Sequence, residues 1–99
     1  MADTVAGAAP TAGGAGAAGT VLIRYFAAAE EAAGVAEESV PVADGATLAD
    51  LLEQASARHP GLADALPACS YLVATVSGRP TTPVPAGAVV DVLPPFAGG

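Results

Sequence analysis

The chain has 99 residues, room for one small domain. Ten acidic side chains stand against three arginines and no lysine, giving a formal charge of −7 and a pI near 4.1; that balance excludes nucleic acid and anionic membranes as partners and favours a basic protein surface. The mean hydropathy of +0.53 overstates the core, because much of the 53% hydrophobic fraction is alanine and aromatics make up only 4%, so Val and Leu must fill the interior.

Met1 to Gly19 is built almost wholly from Ala, Gly, Thr and Pro, and Met1 and Val5 are its only large apolar residues. Such a segment cannot offset the entropy of ordering itself, so residues 1–19 read as a disordered leader and 20–93 as the folded domain. Thr20 to Phe26 sets Val21, Ile23 and Tyr25 against Leu22, Arg24 and Phe26, a strand apolar on both faces and therefore central. Arg24, the exception, faces solvent or pairs with an acid. Ala27 to Ala33 is helix-prone, and Gly34 sits where a left-handed stop belongs. Glu37 to Val42 is a second strand, placed at an edge by Pro41, which has no donor for a ladder.

Asp44-Gly45 reads as a turn, and Thr47 with Asp50 three residues later as a capping box. Leu48, Leu51, Leu52 and Ala55 then form one apolar helical face. Arg58 and His59 suit the negative end of the helix dipole, and Pro60-Gly61 ends it. This helix is expected to lie across the sheet. Leu62 to Leu66 predicts one more turn, Tyr71 to Ser77 a third strand, Gly78 a turn, and Arg79 to Pro85 an irregular return. Ala86-Gly87 turns the chain into a last strand, Val89 to Leu93. Four or five strands with one main helix, not strictly alternating, make an α+β fold with a mixed sheet.

Pro94 and Pro95 cannot donate to a ladder, so the last strand ends there and residues 94–99 read as a stiff, extended tail. Phe96 to Gly99 would reach about 13 Å beyond them. Gly98 and Gly99 carry no Cβ, so another protein's walls can close on the backbone, and a free α-carboxyl there is an anion at neutral pH. Phe96 has little of its own domain to pack on and is a candidate interface anchor.

No catalytic constellation lies inside the domain. There is no phosphate-cradling glycine motif, so any ATP must be bound by a partner. His59, the sole histidine, reads as a helix-end residue and leaves the common zinc sites and catalytic triads unsupported. No metal site is expected. Cys69, flanked by Ala68 and Ser70, lacks the cation that would activate a thiol and reads as a small half-buried core residue. Glu30-Glu31 and Glu37-Glu38 read as a solvated face, and Phe26 as core or partner interface. A lone cysteine, no run of about eighteen apolar residues and no basic region leading an apolar segment fit a cytoplasmic protein.

The ending Leu93-Pro94-Pro95-Phe96-Ala97-Gly98-Gly99 resembles the tail of the MoaD/ThiS sulfur-carrier family of ubiquitin-like β-grasp proteins, most closely its molybdopterin synthase small-subunit branch. Ile23-Arg24-Tyr25-Phe26-Ala27-Ala28-Ala29-Glu30-Glu31-Ala32-Ala33-Gly34 resembles that family's first strand and helix, and Gly87-Ala88-Val89-Val90-Asp91-Val92 its last strand, so the likeness spans about residues 20–99. It implies a ubiquitin-like β-grasp fold in which one main helix crosses a four- to five-stranded mixed sheet. The chain would then be a non-catalytic subunit whose reactive group is its own Gly99 carboxylate. The implied partners are an E1-like adenylyltransferase/sulfurtransferase (MoeB-like), which holds the MgATP, and a molybdopterin synthase large subunit (MoaE-like), where the Gly99 thiocarboxylate gives its sulfur to cyclic pyranopterin in molybdenum cofactor biosynthesis. Pro94, Pro95, Phe96, Ala97 and Gly98 would be the segment threaded into each partner, with Phe26 and Phe96 at the interface. Ala88 stands where family members often carry an acid, and Ser77-Gly78 where they often carry Asn-Gly. Three alternatives stay open: a sister carrier for thiamin thiazole or cysteine synthesis, a ubiquitin-like modifier, and a β-grasp binding module.

Overall fold

The computed structural model describes residues 17–95. Five strands, β1 (Ala17–Tyr25), β2 (Glu37–Ala43), β3 (Ser70–Val73), β4 (Val76–Ser77) and β5 (Val89–Leu93), form one sheet in the order β2-β1-β5-β3-β4. Only β1 and β5 run parallel, so the sheet is mixed, as the β-grasp resemblance implies. Three helices complete it: α1 (Ala28–Ala33), α2 (Leu48–Arg58) and the short α3 (Leu62–Ala65), which runs into a 3₁₀ turn at Leu66–Ala68.

β1 is central, between β2 and β5, as its largely apolar sequence implies. It begins three residues earlier than the apolar signal at Thr20, because Ala17 and Gly19 continue the backbone ladder to Ala43 and Val42 without large side chains. β2 is an edge strand, so Pro41 spoils hydrogen bonding on one side only. Gly34 ends α1 with φ 80°. At α2 the capping box is complete: Asp50 N–H donates to Thr47 Oγ1 at 3.3 Å and Thr47 N–H to Asp50 Oδ2 at 2.9 Å. Leu48, Leu51 and Ala55 are fully buried against Val21, Ile23, Val40, Val42, Val90 and Val92, while Leu52 is only half-buried. Leu52 instead lines an open groove of about 370 Å³ with Leu66, Pro67 and Tyr71.

The expected third strand over Tyr71 to Ser77 is two strands. β3 and β4 are joined by a two-residue loop, Ala74-Thr75, closed by the pair Val73 and Val76. Both loop residues have positive φ, 51° and 69°, as the mirror-image hairpin turn requires. Val-Ala-Thr-Val reads as unbroken strand because neither residue is the Asn or Gly such a turn prefers. Gly78 is correspondingly not that turn's glycine: a Cβ on it would lie 2.9 Å from Val73 Cγ2, so its role is close packing. A left-handed conformation costs an ordinary residue about 1 kcal/mol or more, so Ala74→Asn/Thr75→Gly is expected to raise the unfolding midpoint by several degrees in a domain of this size. An unchanged or lower midpoint in a thermal melt would contradict the turn assignment.

Candidate functional site

The geometry around the expected tail starts with β5. This strand lies in the middle of the sheet, with Val90, Asp91 and Val92 buried, so the point where the chain leaves it is held on both sides. On one side Val92 pairs with Tyr25 and its carbonyl accepts from Phe26 N–H at 3.2 Å; on the other Leu93 pairs with Ser70. Leu93 is half-buried, Pro94 buried and Pro95 exposed. Pro94 therefore belongs to the body, and the chain leaves one residue later than the expected boundary at 94. Phe96, Ala97, Gly98 and Gly99, which include the expected reactive group, lie outside the described residues, as do residues 1–16 of the leader.

Phe26 sits beside this exit and is half-buried. The next residue, Ala27, has φ 49° and ψ −124°, a backbone conformation that costs a residue with a Cβ about 1–3 kcal/mol. It swings the chain from β1 into α1 directly after the aromatic ring. Arg24 lies 5.7 Å above that ring, measured from Cζ to the centroid. Its Nε donates to Asp91 Oδ1 at 2.7 Å and its Nη2 to Asp91 Oδ2 at 3.1 Å. Arg24 thus pairs with an acid, one 67 positions away that the β1–β5 register brings opposite it.

Glu38 is not part of a solvated face. Its side chain is 14% exposed and is the hub of a cluster: Tyr25 Oη donates to Oε2 at 2.6 Å, His59 Nε2 lies 2.8 Å from the same oxygen, and Arg58 Nη1 is 3.3 Å from Oε1. A carboxylate only accepts, so His59 Nε2 carries the proton. The alternation of β2 turns Glu38 to the helical side of the sheet while Glu37 stays exposed, which residue type alone does not reveal. Burial pushes the Glu38 carboxyl up, but the hydrogen bonds from Tyr25, His59 and Arg58 outweigh it and hold it below the ordinary carboxylate range. A carboxyl depressed in the folded state stabilises above its unfolded value near 4.5, and the effect is lost as pH falls through the folded value. Glu38→Gln is therefore expected to lose less stability than the wild type between neutral pH and about pH 3 in parallel melts; identical pH profiles would contradict this.

Cys69 is half-buried, with Sγ 3.2 Å from the Ala65 carbonyl oxygen, and burial pushes the thiol up, away from a reactive thiolate. Among the described residues no group of three or more His, Cys, Asp or Glu side chains is placed to hold a metal ion. No helix among them is long and apolar enough to cross a membrane. What the described geometry offers chemically is a rigid exit: a buried strand and a buried proline that hold the root of whatever follows Pro95, with an aromatic and an ion pair beside it.

The ThiS family model matches residues 23–99. The molybdopterin synthase sulfur carrier subunit of Chlamydomonas reinhardtii is 35% identical over 80% of this chain and 98% of its own length. Among solved structures, SAMP1 (small archaeal modifier protein 1) of Haloferax volcanii superposes with a TM-score of 0.76 at 25% identity, over 82% of this chain and all of that one. A chain from the complex of subunits 1 and 2 of the molybdopterin-converting factor of Helicobacter pylori superposes with a TM-score of 0.56 at 25% identity, over 81% of this chain and 99% of that one.

Proposed function

The chain belongs to the ThiS family, and from that premise we propose that it is the sulfur-carrier small subunit of a molybdopterin synthase. The observation that carries the reading is the 35% identity, over nearly the whole length of the relative, to a protein named for that role. The ending Phe96-Ala97-Gly98-Gly99 supports it, because a side-chain-free tip suits threading into another protein's active site. In this reading the Gly99 carboxylate attacks the α-phosphate of ATP held with Mg²⁺ by a MoeB-like partner, and pyrophosphate leaves. A persulfide sulfur then displaces AMP from the mixed anhydride, and reduction of the resulting acyl disulfide by a thiol leaves a thiocarboxylate. The threaded segment is Pro95 to Gly98, rooted at Pro94. Sulfur passes to cyclic pyranopterin in a MoaE-like large subunit, a partner suggested by the Helicobacter pylori complex of the two factor subunits. The chain itself needs no acid or base, binds no cofactor, and works in the cytoplasm.

A second reading, a ubiquitin-like modifier, is favoured by the likeness to SAMP1. Affinity purification of the tagged chain from its own cells separates the two. A carrier brings down the large subunit and the adenylating enzyme, both non-covalently. A modifier instead yields higher-mass conjugates that survive denaturation, and conjugates without those two partners would overturn the carrier reading.

A further inference from the structure

The sheet buries its Val21, Ile23, Tyr25, Val90 and Val92 face under the helices. Its other face carries Leu22, Phe26, Leu72, Val89 and Leu93, all half-buried and covered by no helix among the described residues. At the centre of this apolar surface the register sets Arg24 beside Asp91, with Leu72 on the far side. Asp91 is buried, at 7% exposure, and Arg24 takes both its oxygens. The Arg24 side chain is 46% exposed, and it uses only Nε and Nη2 on Asp91. The outer edge of the guanidinium, Nη1 and the second hydrogen of Nη2, makes no hydrogen bond among the described residues. Two parallel N–H groups point outward there, the fork that a carboxylate accepts in pairs.

Stability gives little reason for this pair, since an ion pair whose arginine is 46% exposed adds little to a fold. Recognition is the other use for it. The carboxylate is turned inward and satisfied, so on a chain of net charge −7 this face presents the Arg24 cation among Leu22, Phe26 and Leu72, with exposed Glu37 on its β2 side. The face is also continuous with the tail: Phe26 N–H bonds the Val92 carbonyl, one residue before the strand's end at Leu93. A protein that takes the tail into its active site meets this surface at the tail's root. We infer that, where this face meets the synthase large subunit, Arg24 is the specificity-determining residue, its outer fork received by one carboxylate set in an apolar patch of that partner. Glu37, opposite Arg24 on β2 and exposed, borders the fork on that side, so a partner carboxylate meets Arg24 from the side away from β2.

The inference rests on the carrier reading, and calorimetric titration of the full chain against the large subunit from the same organism tests the two separately. Arg24→Leu/Asp91→Val removes the pair while keeping the face apolar. It is expected to melt at or above the wild-type temperature and to bind the large subunit at least about tenfold more weakly. Arg24→Lys keeps the charge without the fork and is expected to bind with intermediate affinity. Equal affinity of the double variant and the wild type would overturn the inference while leaving the carrier reading intact. Absence of wild-type binding would remove both. Should the double variant fail to fold, Arg24→Lys decides alone, and wild-type affinity in it overturns the inference.

Discussion

Gly98→Ala lowers the rate of sulfur loading at the carboxyl terminus by about 100-fold and leaves the unfolding midpoint where it is, if the tail is threaded as proposed. The new Cβ sits next to the reacting carboxylate, where a displacement of about 1 Å can cost two orders of magnitude. Among the described residues the core lies within 21–92. The root of the tail cannot move to relieve the misfit, because Pro94 is buried and β5 is held by β1 and β3. Single-turnover loading, followed by mass with the adenylating enzyme in excess, measures the effect. Wild-type loading in the alanine variant would mean that the tail is not threaded as proposed.

Leu51→Ala acts on the other half of the molecule. Leu51 is fully buried between α2 and the sheet, so truncation leaves a cavity in a core whose larger side chains are mostly Val and Leu. The expected loss is about 3–4 kcal/mol, more than about 10 °C in the midpoint of so small a domain. Leu52, one residue on, is half-buried beside the open groove, and its truncation is expected to cost only about 1 kcal/mol. The sequence pattern ranks the two leucines as equals, so the contrast between them tests the packing rather than the helix. Thermal melts of both variants check it, and equal midpoints would place α2 in a different rotation.

Local signals carried most of the architecture. The Thr47–Asp50 capping box, the Leu48–Ala55 stripe, Pro41 at an edge and the stop at Pro94-Pro95 each follow from side chains a few positions apart, and each element lies where those signals put it. What escaped depends on backbone torsion or on distance along the chain. The Ala74-Thr75 turn uses positive φ at residues whose side chains do not announce it. The hub at Glu38 needs β2 aligned with β1 and with the end of α2 before Tyr25, Arg58 and His59 converge on it. An unpaired arginine on an apolar strand hints that an acid exists, yet only the parallel β1–β5 ladder shows that it is Asp91. The expected reactive end, from Phe96 to Gly99, is legible only in the sequence, by likeness and by its bare glycines.

The most direct measurement is the intact mass of the full chain after incubation with ATP, a sulfur donor and the adenylating enzyme of its own cell, followed by mapping of the C-terminal peptide. The account predicts a mass increase equal to one oxygen replaced by one sulfur, confined to the peptide that ends in Gly99 and absent when ATP is withheld. An unchanged C-terminal peptide, or sulfur found instead on Cys69, would contradict it.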